Sequence, residues 1–424
     1  VAYGISPWVT ASVQSALLAA AAASLRHGGL FYCSYNTYPG WLACSSFKQL
    51  LALELPTAKP GALGHCFHES ASLLNQLLGE ESQPSPLGSA LPGLRRELQS
   101  LQFALVDYLC GEFANPGWSP LYVLEMLARC ATHQFSFLGS VTYSESFIEL
   151  LPPPLRELAI PEIRPAAREL LIDLATNKRF RIDILTRWNV RLTQQEWGQR
   201  LASLSFQLVL PQREWLPTPR DTLHFRATFG DIQGDLKAYG PVITAVSDAP
   251  ASMGSLLSSS QQTQGELVVM LALLLEAGCI GFDRGAAGAK STPLVQRLNQ
   301  VLLDRMQEGH SYTQLALPAV ASALPFSILE ALIDKGLQDR LEEPMLSSCV
   351  LLWLKELGVQ LLSQDNQVIT EPQAQIDKIQ TIAATFIATK QPLLKRLGGL
   401  PAATPLNPPR SCRSRSKAPA PRAA

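Results

Sequence analysis

The 424 residues contain no Cys-x-x-Cys pair, no excess of either charge and no apolar run long enough to cross a bilayer. Each absence narrows the field. The eight cysteines are scattered, which fits reduced, buried thiols better than a disulfide framework or a zinc ribbon. Thirty-five basic residues balance thirty-five acidic ones, so no global field draws the chain to nucleic acid or an anionic membrane. The longest apolar run, Leu267 to Ile280, is interrupted by Glu276 and at about 14 residues is short of a spanning helix. No secretory segment opens the chain, because the apolar stretch Ala16 to Ala23 is short, Ala-rich and flanked by polar residues. A cytoplasmic location is expected. No G-x-S-x-G elbow is present to support serine hydrolase chemistry.

What remains is an ordinary globular composition, 47% apolar and 7% aromatic, on a chain long enough for about two to four domains. The expected fold class is mixed α/β and helix-rich. Residues 42–133 read as helical, with leucines at helical spacing in Phe47 to Leu55 and Ser70 to Leu78 and a flexible loop at 82–93. Phe135 to Tyr143 and Phe180 to Trp188 read as strands, separated by Pro152-Pro153-Pro154 and a helix from about Pro165 to Asn177. Residues 205–290 and 291–398 read as two α+β modules of winged-helix-like order. In the first, Leu223 to Phe229 is strand-like, Ala251 to Ser258 and Glu266 to Ala277 are helical, and an apolar strand follows Gly278. In the second, helices at Pro293 to Met306, Ser327 to Lys335 and Pro344 to Leu357 precede an expected wing from Val359 to Thr370 around Asp365-Asn366. The helix Glu266 to Ala277 carries no Lys or Arg, so DNA is disfavoured and a protein contact or packing role is expected. Residues 399–424, rich in Pro, Ala, Ser and Arg, read as a disordered tail, native or frameshifted.

The most informative stretch runs from Gly28-Gly29 through Phe31-Tyr32-Cys33 to Ser34-Tyr35-Asn36-Thr37-Tyr38-Pro39-Gly40-Trp41. Glycine and proline punctuate one buried strand, with a polar-aromatic cluster at its carboxyl end, where ligands bind in open α/β sheets. A strand and tight turn without chemistry is the bland alternative.

This segment resembles the SYNxxPGW loop of bacterial methyltransferases that carry a methyltransferase regulatory domain, a group that includes protein lysine methyltransferases. Upstream, Gly4-Ile5-Ser6-Pro7-Trp8-Val9 is similar to that family's HGxYSWV. Downstream, Glu112-Phe113, Asn115-Pro116 and Pro120-Leu121-Tyr122 are similar to HEYxxxxNxPxYF. Glu169 to Arg181 is similar to EQYxDFxxNRxFR. The sequence departs from these patterns at Tyr3, Ser6, Pro7 and Gly111.

The resemblance implies a class I, S-adenosylmethionine-dependent fold and methyl transfer to an amine, that of lysine in a protein substrate. Residues 1–41 would be the C-terminal remnant of a Rossmann-like methyltransferase sheet, and 42–190 a helical insertion with the regulatory domain. The strands at 135–143 and 180–188 become candidates for the antiparallel pair that ends such a sheet. Tyr35, Asn36, Pro39, Trp41, Trp8 and Tyr3 are the expected substrate-facing residues, Tyr35 and Asn36 orienting the amine and the tryptophans shaping a channel. The match starts at Val1 near the family's fourth strand, so an N-terminally truncated fragment, inactive alone and without a S-adenosylmethionine site, is expected. A non-catalytic interaction module partnering a separate methyltransferase chain is the alternative. No catalytic or cofactor-binding residue is assigned.

Three other constellations carry weaker signals. Gly281 to Gly288 has a glycine-rich look but follows an apolar helical run and reads as a loop. His65-x-x-His68 with Glu69 lacks a third distant ligand, so no metal is expected. Asp173, Asn177, Arg179 and Arg181 have the polarity of a site, yet an exposed helix end feeding a strand, with both arginines on one face and paired to acids, accounts for them.

Overall fold

A computed structural model describes residues 1–54, 63–101, 104, 106–158, 164–188, 192–211, 222–363, 365 and 367–401. The chain divides into two compact units, one of Val1–Thr193 with Arg226–Ile232, the other of Gln194–Phe225 with Gln233–Ala424.

The first unit opens with helix α1 (Ala11–Ser24) and strand β1 (Leu30–Asn36). Six helices follow: α2 (Leu42–Glu54), α3 (Leu63–Leu77), α4 (Pro86–Ala90), α5 (Leu94–Leu101), α6 (Val106–Leu109) and, after a π-helical turn at Cys110–Ala114, α7 (Val123–Thr132). Strand β2 (Ser136–Ser140), helices α8 (Pro153–Leu158) and α9 (Pro165–Thr176), and strand β3 (Phe180–Thr186) complete it. The leucine-rich stretches expected to be helical are α2 and α3. The stretch expected to be a loop at 82–93 contains α4, started by Pro86 and capped by Ser85, whose Oγ accepts from Gly88 N at 3.1 Å.

The strands form one sheet in the order β1-β3-β2, with β3 antiparallel to both neighbours. The two strand-like runs at 135–143 and 180–188 therefore do pair antiparallel. Ala2 adds a parallel bridge to Cys33 on the other edge of β1. Period-two alternation gives the sheet two unlike faces. Phe31, Cys33, Tyr35 and Leu185 point into a core with Leu18 and Ala22 of α1 and Met126 and Cys130 of α7. The opposite face carries Tyr32, Phe180, Ile182 and Ile184, all partly exposed, with Leu30 and Leu138 exposed beside them. Helix α9 ends on Asn177, whose left-handed φ of 47° turns the chain straight into β3.

The second unit is built on apolar packing. Helix α10 (Gln194–Ser203) leads into β4 (Ser205–Leu208), the centre of a three-stranded sheet with β7 (Ala251–Ser252) and β8 (Ile280–Phe282). The run Leu223 to Phe229 supplies β5 (Thr222–Ala227), which forms a two-stranded sheet with β6 (Gly230–Asp235). Helices α11 (Leu236–Asp248), α12 (Met253–Ser259) and α13 (Gln264–Glu276) come next. Thr263 and Glu266 form a reciprocal capping box that starts α13.

Helix α14 runs from Gly285 to Gln307, so the stretch expected to be a loop at 281–288 is in fact the end of a short strand and the first turn of a long helix. Gly285 takes a left-handed φ of 48° at that junction, and a Cβ on Gly288 would lie 2.9 Å from the Pro318 carbonyl. A hairpin of β9 (Gln314–Leu317) and β10 (Ser322–Pro325), not anticipated from the sequence, precedes α15 (Ile328–Gln338), α16 (Met345–Glu356), α17 (Pro372–Thr385) and α18 (Gln391–Arg396). The expected wing at 359–370 is reduced to a single bridge between Leu362 and Val368, and Asn366 lies outside the described residues. Of the expected tail, 402–424 also lies outside them, while Leu400 is buried in this unit's core.

Candidate functional site

The loop that leaves β1 is seated on the segment between α6 and α7. Asn36 Nδ2 donates to Glu112 Oε2 at 2.8 Å, and Trp118 Nε1 donates to the same oxygen. Thr37 Oγ1 donates to the Leu121 carbonyl at 2.7 Å, and Leu121 N returns a bond to the Asn36 carbonyl at 3.1 Å. Glu112 is a buried carboxylate held by two donors, a strong charge-assisted arrangement. Around it, Trp41 packs edge-on against Trp118 and Phe113, with ring centroids 5.1 and 5.9 Å apart.

Asn36 and Trp41 are therefore brought together, both buried. Trp41 Nε1 donates to the Arg179 carbonyl at 2.8 Å, and the Arg179 guanidinium lies 4.1 Å from the Trp41 ring while pairing with Glu97. Gly40 is required here, because a Cβ would meet the Asn177 and Lys178 carbonyls at 2.6 Å. Pro39 is partly buried and accepts from Leu42 N at 2.8 Å, closing the turn into α2.

Trp8 and Tyr3 lie differently. Trp8 is 40% exposed; its carbonyl accepts from Asn115 Nδ2 at 2.8 Å, and its ring lies over Gly111. A Cβ at Gly111 would approach that ring to 3.2 Å. Tyr3 is 61% exposed and sits beside Tyr32 and Phe180, with centroids at 6.3 and 6.0 Å. Lys48 of α2 joins the same neighbourhood. Its ammonium donates to the Asn115 and Trp118 carbonyls at 3.0 and 3.3 Å and lies 4.4 Å from the Trp118 ring. Burial pushes the Lys48 pKa down, opposed by the charge of Glu112. The cluster thus holds the Lys48 ammonium between an indole face and two carbonyl acceptors.

Tyr35 points to the other face of the sheet. Its hydroxyl donates to Asp183 Oδ2 at 2.6 Å inside the core, and burial followed by the Asp183 charge raises its pKa well above the ordinary value. The hydroxyl is committed to an internal network, where it orients no exposed group. The centre of that network is Arg181, 0% exposed, which bonds Asp173 Oδ1 at 2.6 Å, Glu169 Oε2 at 2.7 Å and Asp183 Oδ1 at 3.0 Å. Lys178 and Glu145 form a second buried pair. The exposed helix end expected at Asp173–Arg181 is corrected: Asp173 and Arg181 are fully buried, because a charge ladder on β3 faces the acids of α9. Arg181 does pair with acids, whereas Arg179 precedes the strand and turns to Trp41 and Glu97 instead of sharing that face.

Glu112, Trp118, Lys48 and Asp183 were not singled out from the sequence as site residues. Asp183 was accessible, since it lies two positions from Arg181 on one strand face. Glu112 and Lys48 were not, because their partners are 76 and 67 positions away. His65 pairs with Glu69 on the surface of α3 at 3.0 Å, and no group of three metal-ligating side chains exists among the described residues.

The arrangement has counterparts among known proteins. The family described as a predicted methyltransferase regulatory domain matches residues 106–187, the segment that holds Glu112, Trp118 and the Arg181 network. Residues 106–187 are thus similar to a methyltransferase regulatory domain. Its fold is similar to that of PKMT2 from Rickettsia typhi, solved in complex with AdoHcy, at TM-score 0.56 and 15% identity over 94% of this chain and 79% of that one. A second structure of the same Rickettsia protein gives TM-score 0.58 at 14% identity. At these identities the likeness is one of fold. Among curated sequences, the uncharacterized protein sll1526 of Synechocystis is 24% identical over 407 residues, 94% of this chain and 77% of that protein. The uncharacterized protein RP789 of Rickettsia prowazekii is 22% identical over 206 residues, 46% of this chain and 34% of that one. Among the described residues no helix is long and apolar enough to cross a membrane.

Proposed function

We propose that this chain presents the protein-substrate side and the regulatory segment of a S-adenosylmethionine-dependent lysine methyltransferase, and that the cofactor is held by polypeptide outside these 424 residues. The observation that carries the proposal is the seating of the Asn36–Trp41 loop on Glu112 and Trp118 of the regulatory segment. The order β1-β3-β2, with a parallel bridge at Ala2 on the far edge, supports a methyltransferase-type sheet, of which residues 1–41 would be one part.

The one glycine-rich turn of the sequence, at 281–288, does not fit S-adenosylmethionine. The strand-turn-helix at 280–288 has its first turn occupied by Asp283, whose Oδ1 accepts from Gly285 N at 3.3 Å and Gln207 Nε2 at 2.9 Å. No step is assigned to the cofactor here. The chain's own residues would receive a lysine amine: Trp8 and Tyr3 offer exposed aromatic faces, and Asn36, Pro39 and Trp41 set the loop behind them. Methyl transfer is an in-line displacement, so positioning a neutral amine is the main task of such a surface.

A second reading, a non-catalytic module that partners a separate methyltransferase chain, is favoured by one observation. The sheet face bearing Tyr3, Tyr32, Leu138 and Phe180 is apolar and incompletely covered, and sheet faces of this kind are normally buried under a helical layer. Calorimetric titration of S-adenosylmethionine into the purified chain tests the shared core of both readings. No binding at micromolar ligand is expected, and a micromolar complex with these 424 residues alone would overturn the proposal.

A further inference from the structure

The charge count around Arg181 does not close. Lys178 and Glu145 neutralise one another, leaving Arg168 and Arg181 against Glu169, Asp173 and Asp183. Glu169 is shared between both arginines, and Asp183 receives Arg181 and the Tyr35 hydroxyl. Asp173 gives Oδ1 to Arg181, but its Oδ2 is buried and has no hydrogen-bond partner among the described residues. A bare anionic oxygen in such a place is costly, and a neutral carboxyl far less so.

We propose that Asp173 carries a proton in the folded chain, and that losing this proton loosens α9 from β3, making the regulatory segment a pH-responsive latch. The groups facing Asp173 pull both ways, the Arg181 and Lys178 cations favouring the carboxylate and burial with Asp183 favouring the proton. Strand β3 offers Arg181 and Asp183, β1 offers the Tyr35 hydroxyl bound to Asp183, and the turn after α9 offers Lys178 paired with Glu145. On α9 itself stands Glu169; on α7, Arg129 is turned to Gln14 and Glu125 to the Tyr122 amide, and Arg156 of α8 is turned to the Leu151 carbonyl.

The direction of the effect follows from the ordinary rules of linkage. Burial, opposed by Arg181 and Lys178 and reinforced by Asp183, raises Asp173 from 3.8 to about 6. The folded state then binds this proton more tightly than the unfolded one. The stabilisation is fully present below about pH 4, falls as pH rises to about 6 and is constant above it. A shift of that size corresponds to a change on the order of a hundredfold in the ratio of closed to open segment.

The test is amide hydrogen exchange of residues 165–186 in the full chain and in D173N, between pH 4 and 7.5. After correction for intrinsic exchange, wild-type protection relative to D173N should fall about a hundredfold between pH 4 and 7. Parallel curves for the two proteins would overturn the proposal. Should D173N not fold, wild-type and D334N chains labelled at aspartate carboxyl carbons decide the matter by NMR. Asp334 in the second unit is also raised, by burial. An aspartate titrating near pH 6 that persists in D334N supports the latch, and its loss in D334N overturns it.

Discussion

The sheet–α9 contact of the first unit and the helical core of the second are built from opposite materials. In the second, Leu332, Ile333, Val350, Leu354, Phe386 and Leu394 meet in one apolar cluster, and Lys390 pairs with Glu330 at its edge. In the first, the sheet meets α9 through Arg181, Asp173, Glu169 and Asp183, with Lys178 and Glu145 beside them. Apolar packing tolerates replacement by other apolar shapes, whereas a buried charge network tolerates only complete removal or complete retention. The part of the molecule bearing the methyltransferase regulatory match is the part specified by charge.

Substitutions can break that contrast. The largest effect is expected for R181M, which leaves buried carboxylates without their shared cation and should cost about 3–5 kcal/mol in the first unit. Loss of exchange protection across residues 165–186, or loss of the soluble folded chain, checks it. L354A in the second unit should cost about 2–5 kcal/mol through the cavity it leaves, with L354M costing under about 1.5 kcal/mol. Denaturant unfolding read by exchange at 327–357 measures both. If R181M proved as mild as L354M, the contrast would collapse.

How far all this was legible from residues alone depended on the range of the interaction. Strand β1, its closing loop and the strands at 136–140 and 180–186 follow from local apolar runs and from Gly and Pro punctuation, while the antiparallel pairing of the last two was implied by the family resemblance. The resemblance of Glu112 to Tyr122 and Glu169 to Arg181 also falls within the family match at 106–187. Tyr35 and Trp41 look like an exposed rim by residue type. Strand parity places Tyr35 with Phe31 and Cys33, and it is the core side that β1 turns towards α1 and α7. That burial depends on helices distant in sequence, which no local pattern reports. The β9–β10 hairpin was hidden by Pro318 and Pro325, residues that normally argue against strands and here lie in the turn and at a strand end. Helix α14 was mistaken at its start because Gly285 and Gly288 read as a loop when their tight neighbours, Pro318 and Ala319, are unknown.

The smallest effect concerns the join between loop and regulatory segment, and it is also the most direct test that the two form one body. E112Q keeps the shape of the side chain but removes the charge that holds Asn36 and Trp118, a loss of about 1–2 kcal/mol. Hydrogen exchange of the amides in Ser34 to Trp41, measured in wild type and E112Q at one pH, should show roughly tenfold faster exchange in the variant. Unchanged exchange throughout that loop would contradict the account.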